Sequence, residues 1–234
     1  MAKKKKNTKK NNRKRNLIIA VSAAMILLFC AFFGAAKQNA PLEKPVTVTA
    51  VPFPDYSKIT VEQPKIKEML LTRNKNSRPG LSLKKIKGIV IHYTANPGTS
   101  AKANRNYFES RKNMEDKSVN KVSSHYIIGL SGEIIQCIPD YEIAYASNER
   151  NKDTLSIECC HPDSTGKFSK ETYQSLIHLA AYLADRYEFP LDGIIRHYDV
   201  TGKKCPKYYV RHQDAWERLK NDIRIYLKKN EKKS

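Results

Sequence analysis

Apolar positions along this chain fall into three regimes. Leu17 to Ala36 is an apolar run of twenty residues without a charge. As a helix rising about 1.5 Å per residue it reaches about 30 Å, the thickness of a bilayer's hydrocarbon core. Residues 37–62 contain Pro41, Pro45, Pro52 and Pro54 and show no period, which predicts an extended linker. From residue 63 to 228, short apolar runs alternate with helical stripes, the pattern of one folded domain.

Within that domain the pattern predicts a short helical turn from Ile66 and a core strand over Leu83–Ile91. A helix follows over Ser100–Lys112, with Ser100 as cap and Ala103, Tyr107 and Phe108 near one face. Ser123–Gly129 and Glu133–Ile138 flank Leu130-Ser131-Gly132, a hairpin signal. Ile143–Ala146 reads as an edge strand and Thr154–Cys160 as a buried one. Ser169–Tyr187 is the longest helix, capped by Ser169 and stopped by Pro190, with Leu176, Leu179, Ala180 and Leu183 facing the core. Leu191–Ile195 is a strand leading into a loop at His197. Gln213–Leu227 is an amphipathic helix with Trp216, Leu219, Ile223 and Leu227 inward. Strands alternating with helices predict an α/β fold, a mixed central sheet flanked by helices, behind an N-terminal transmembrane helix.

Charge changes the picture at the ends. The net charge is +20, and nine cations lie in the first fifteen residues with no acid among them. This basic segment, 1–16, borders the apolar run, so the positive-inside rule places it in the cytoplasm and the folded domain outside. A cleaved signal peptide, with Gly34-Ala35-Ala36 as its small-residue site, is the alternative, and would make the domain secreted. A basic tail closes the chain at 229–234. So basic a chain is attracted to polyanions: anionic cell-wall polymers or lipid headgroups. Nucleic acid is not expected as a partner, because the basic run has neither aromatic nor helical motifs beside it.

The five cysteines, at 30, 137, 159, 160 and 205, show neither a disulfide framework nor a C-x-x-C pair. Only Cys205 has ligand-like surroundings, in Arg196-His197-Tyr198-Asp199-Val200-Thr201-Gly202-Lys203-Lys204-Cys205-Pro206. Imidazole and thiolate are the side chains zinc favours, and His92, ending the run Gly88–His92, is the third candidate. Two histidines and a cysteine leave a tetrahedral position open, the pattern of a catalytic site. His161 is the rival ligand. His125 reads as structural or cleft-lining, and Tyr93 and Tyr126 as cleft candidates. Glu158 is a lone carboxylate in an apolar strand, costly unless paired or functional.

These motifs, in the order His92-Tyr93-Thr94-Ala95, Ser124-His125-Tyr126-Ile127-Ile128, Leu155-Ser156-Ile157-Glu158 and His197-Tyr198-Asp199 to Cys205-Pro206, resemble the zinc-dependent N-acetylmuramoyl-L-alanine amidases of the type 2 amidase family. The resemblance spans roughly residues 65–225. It implies the fold shared by phage lysozyme-like amidases and animal peptidoglycan recognition proteins. It further implies a peptidoglycan hydrolase, an autolysin-type enzyme, with Zn2+ held by His92, His197 and Cys205. Glu158 becomes the proton-transferring carboxylate, and Lys203, rather than Lys204, the cation beside the oxyanion. One position departs from the family: several relatives carry a catalytic tyrosine where this chain has Ser124. Two other readings stand beside the hydrolase. One is a non-catalytic peptidoglycan-binding module on the same fold; the other is a thiol protease using Cys205 and His197.

Overall fold

The computed structural model describes residues 54–115 and 121–232. The expected basic segment, transmembrane run and most of the linker lie outside those residues. Among the described residues, no helix is long and apolar enough to cross a membrane.

One six-stranded sheet organises the domain, in the order β1-β4-β3-β5-β2-β6. The strands are β1 (Ile66–Glu68), β2 (Ile89–Tyr93), β3 (Tyr126–Ile128), β4 (Ile134–Gln136), β5 (Leu155–Cys159) and β6 (Ile194–Arg196). Strands β3, β5, β2 and β6 run parallel, and β4 turns antiparallel to β3 through the expected hairpin. The sheet is therefore mixed, as its pattern predicts. Parallel strands end at a common edge, and open α/β sheets place their sites beyond that carboxyl edge.

The two faces of the sheet are covered differently. On one, Ile89, Ile91, Tyr126, Ile128, Leu155, Ile157 and Ile194 pack under helices α2 (Lys170–Tyr187) and α5 (Gln213–Lys229). Helix α2 buries Thr172, Leu176, Leu179, Ala180 and Leu183, and α5 buries Trp216, Leu219, Ile223 and Leu227. Both are single stripes at helical spacing, and each fully buried leucine contributes about 2 kcal/mol. The other face carries Ile127 and Ile135 against helix α1 (Ala101–Ser110), with Ala101 and Phe108 buried. Ser100 and Ser169 cap α1 and α2 through their hydroxyls, as expected.

Several local expectations are corrected. Ile66–Glu68 is an edge strand rather than a helical turn, because it pairs with β4. Ile143–Ala146 forms no strand. The first core strand begins at Ile89, after a looser approach tied by Leu83 N–H to the Tyr141 carbonyl. In α1 it is Asn104, not Tyr107, that faces inward; Tyr107 is 51% exposed. Asn104 tolerates burial because its amide donates to Thr99 Oγ1, the Ser100 carbonyl and Cys160 Sγ. The end of the expected linker belongs to the domain. Tyr56, Ile59 and Val61 are buried, and Tyr56 Oη donates to the Phe189 carbonyl.

Candidate metal centre

His92 and Glu158 are partners across β2 and β5, so their side chains share a face of the sheet at adjacent positions. Glycine makes the neighbouring approach close. A Cβ on Gly88 would lie 2.1 Å from the Gly193 carbonyl oxygen, so β2 and the turn before β6 meet where only glycine fits. This places the end of β6 beside β2.

His197 does not sit in a loop, as expected, but opens the short helix α3 (His197–Thr201) directly after β6. Arg196 holds that helix in place. Its guanidinium binds Asp199 through Nε and Nη2, donates from Nη1 to the Tyr209 carbonyl and Gln213 Oε1, and lies between the Tyr198 and Trp216 rings. Asp199 Oδ2 accepts from the Arg196 backbone N–H, closing the helix's first turn. Gly202, at φ +75°, ends it, and the chain doubles back so that Tyr198 N–H donates to the Cys205 carbonyl. Another short helix, α4 (Lys207–Arg211), follows.

These constraints bring His92, His197 and Cys205 together, all buried, with ligand atoms within 4.8 Å of one another. The two imidazoles lie 4.7 Å apart, nearly edge to face. Cys205 Sγ is 3.7 Å from His92 Nδ1. Ligands of a tetrahedral ion with metal–nitrogen and metal–sulfur bonds of ordinary length stand about 3.5 Å apart, so the spacing fits a shared metal ion. Burial holds both histidines below their ordinary pKa, His92 strongly, with the neighbouring His197 and Lys203 adding to it. Both rings are thus neutral, the ligating form. Burial, with Glu158 nearby, pushes the Cys205 thiol up to about 12 without a metal.

Glu158 points into the same place. Its Oε2 is buried and has no hydrogen-bond partner. Burial pushes the carboxyl up to about 8, with the Lys203 charge pulling it back. Lys203 is exposed, yet its charge reaches Glu158, His92, His197 and Cys205.

The remaining candidates lie elsewhere. His161 is outside the ligand group; its Nδ1 bonds the Asp163 carbonyl and its ring packs on Tyr93. Tyr126 is turned into the core, donating to Asp140. Ser124 is fully buried and donates to the Tyr126 and Ser156 carbonyls, so nothing at that position replaces the family tyrosine. Sequence reasoning missed two residues that touch the cluster: Ser147 Oγ, 3.1 Å from His92 Nε2, and Asn148 Oδ1, 3.1 Å from His197 Nε2.

Comparison with known proteins bears on this site. The chain is 38% identical over 150 residues to a probable N-acetylmuramoyl-L-alanine amidase of Bacillus licheniformis, covering 59% of this chain and 41% of that one. It is 36% identical over 149 residues to the amidase CwlL of the same organism, covering 58% and 40%. The chain thus spans about two fifths of the length of these relatives. Among solved structures, PlyL superposes with a TM-score of 0.57 at 23% identity, over 68% of this chain and 96% of that one, a likeness of fold. A mutant endolysin from Bacillus subtilis does so with a TM-score of 0.56 at 25% identity, over 68% and 98%. Residues 82–208, more than half of the chain and the whole span from β2 to the cysteine, match the N-acetylmuramoyl-L-alanine amidase family, and the chain belongs to it.

Proposed function

We propose that this protein hydrolyses the amide bond between N-acetylmuramic acid and L-alanine of the peptidoglycan stem, using zinc held by His92, His197 and Cys205. The observation that carries the reading is a juxtaposition. One sheet edge, in a chain of this family, holds three ligand side chains and beside them a buried carboxyl with an unpaired oxygen.

When bound, zinc would polarise the scissile carbonyl and acidify a water molecule. Glu158 supplies the proton transfer: its unpaired Oε2 accepts a proton from the attacking water and returns it to the departing amine nitrogen. A carboxyl raised toward neutrality both takes and gives a proton readily near pH 7. Lys203 brings positive charge to the side where the carbonyl oxygen becomes negative. Its exposure lets the flexible stem adjust to the substrate. Arg196 and Asp199 do no chemistry; they fix the helix that presents His197. The basic run at 1–16 and the apolar run at 17–36 support a single-pass anchor with this domain on the wall side of the membrane.

Digestion of purified peptidoglycan tests the reading. New L-alanine amino termini without new reducing ends, lost on chelation and restored by zinc, are expected. New reducing ends would make it a glycosidase, and wall binding without products would make it a binding module.

A further inference from the structure

We infer that Ser147 and Asn148 are positioning residues that fix which nitrogen each histidine offers to the metal. The inference rests on the zinc reading, but its observations are separate. The two residues are adjacent in a loop between β4 and β5, at the start of a 3-10 turn (Asn148–Lys152). Each reaches a different histidine, and both reach the same ring atom: His92 Nε2 meets Ser147 Oγ and His197 Nε2 meets Asn148 Oδ1, each at 3.1 Å.

An amide oxygen only accepts, so the Asn148 contact requires a proton on His197 Nε2. Nδ1 then carries the lone pair. Geometry argues the same for His92. Its Nδ1 is the nitrogen facing Cys205 Sγ, at 3.7 Å, and its Nε2 the one facing Ser147 Oγ, so Nε2 is the outer nitrogen and the serine oxygen is placed to accept its proton. Both rings are therefore set to present Nδ1 to the ion.

The loop is built to hold this arrangement. Asn151 Oδ1 accepts from the backbone N–H groups of both Ala146 and Ser147, pinning the pair from behind. Ser147 is 1% exposed, with no room to swing away. Asn148 adopts φ +53°, a left-handed conformation that asparagine tolerates better than most residues. That turn is what lets consecutive side chains reach two rings. Hydrogen bonds of this kind orient metal-bound imidazoles and raise their basicity, and losing one typically weakens metal binding by about 10- to 100-fold.

The test uses the full chain, stripped of metal and titrated with zinc against a chromophoric chelator. Asn148→Gly removes the acceptor while suiting the positive φ, so the loop keeps its shape. Asn148→Asp keeps an acceptor at the same place, and Ser147→Ala removes the other. Asn148→Gly and Ser147→Ala should each bind zinc about 10- to 100-fold more weakly, with Asn148→Asp at or above wild-type affinity. Nitrogen-15 histidine spectra of the metal-free wild type should show both rings protonated at Nε2. Wild-type zinc affinity in both deletion variants, or rings protonated at Nδ1, overturns the inference alone. A wild type that binds no zinc overturns the zinc reading, and this inference with it.

Discussion

Two clusters of buried polar groups flank β5, one at the start of β3 and one at the end of β2, and they differ in what they leave unpaired. Around His125 nothing is left over. Its Nδ1 meets both Ser156 Oγ and Ser156 N–H, its Nε2 meets the Glu142 carbonyl, and Ser124 closes the group through the Ser156 carbonyl. Glu142 is itself held by Arg78 and Arg73, which keep its carboxyl below the usual range. The second cluster, across β5 around His92, pairs the outer nitrogens of its imidazoles with oxygen, and His92 Nδ1 meets only the Cys205 sulfur, at 3.7 Å. The two imidazoles and the Cys205 sulfur converge, and on the strand beside them Glu158 Oε2 is left without a partner. Both histidines are 1–2% exposed, so burial does not distinguish them. A saturated network holds the fold together, whereas an unsaturated one awaits a ligand.

Removing a ligand should separate the clusters most sharply. Cys205→Ala should lose most bound zinc and with it all but a trace of hydrolysis, measured by metal analysis and release of L-alanine termini. Next in size is Glu158→Gln. It should keep its zinc but turn over about 100- to 10,000-fold more slowly, since an amide cannot take the proton. A near wild-type rate would remove Glu158 from the chemistry.

His125→Ala tests the other cluster. It strands the Glu142 carbonyl and the Ser156 backbone N–H, and each buried unpaired group costs about 1–3 kcal/mol. Denaturant unfolding should show a loss of roughly that size per group, while the folded fraction keeps its full zinc content. Loss of zinc without loss of stability would move His125 into the site.

The smallest effect is a slope. Glu158 is raised from 4.5 to about 8 in the folded, metal-free protein. Between those values the folded state holds a proton that the unfolded chain has released, so this group makes stability fall as pH rises. The lowered histidines act in the opposite sense below their ordinary value of 6.5. The difference between wild type and Glu158→Gln isolates the carboxyl. The metal-free variant should gain stability over wild type from pH 5 to pH 8. A wild-type advantage that grows over this range would contradict the burial of Glu158.

Much of this was legible in the sequence where one stripe decides the outcome. Helices α2 and α5 follow from apolar spacing, and the order of β2, β5 and the His197 segment follows from runs ending in polar residues. Short elements were not legible. Ile66-Lys67-Glu68 is mostly charged and Ile143-Ala144-Tyr145-Ala146 is apolar throughout, yet it is the former that pairs with β4 and becomes a strand. Residue spacing alone does not foretell the helix at His197, because Arg196 holds it through partners as far along as Gln213 and Trp216. Ser147 and Asn148 were invisible for the same reason. They act on histidines 55 and 49 residues away, and a Ser-Asn pair in a loop looks like any turn.

X-ray absorption at the zinc edge of the purified protein tests the centre most directly. One sulfur at about 2.3 Å and two imidazole nitrogens at about 2.0–2.1 Å are expected around each zinc, with a light atom completing the shell. The sulfur should vanish in Cys205→Ala. A shell of nitrogen and oxygen alone in the wild-type protein would contradict the assignment of His92, His197 and Cys205 as the metal centre.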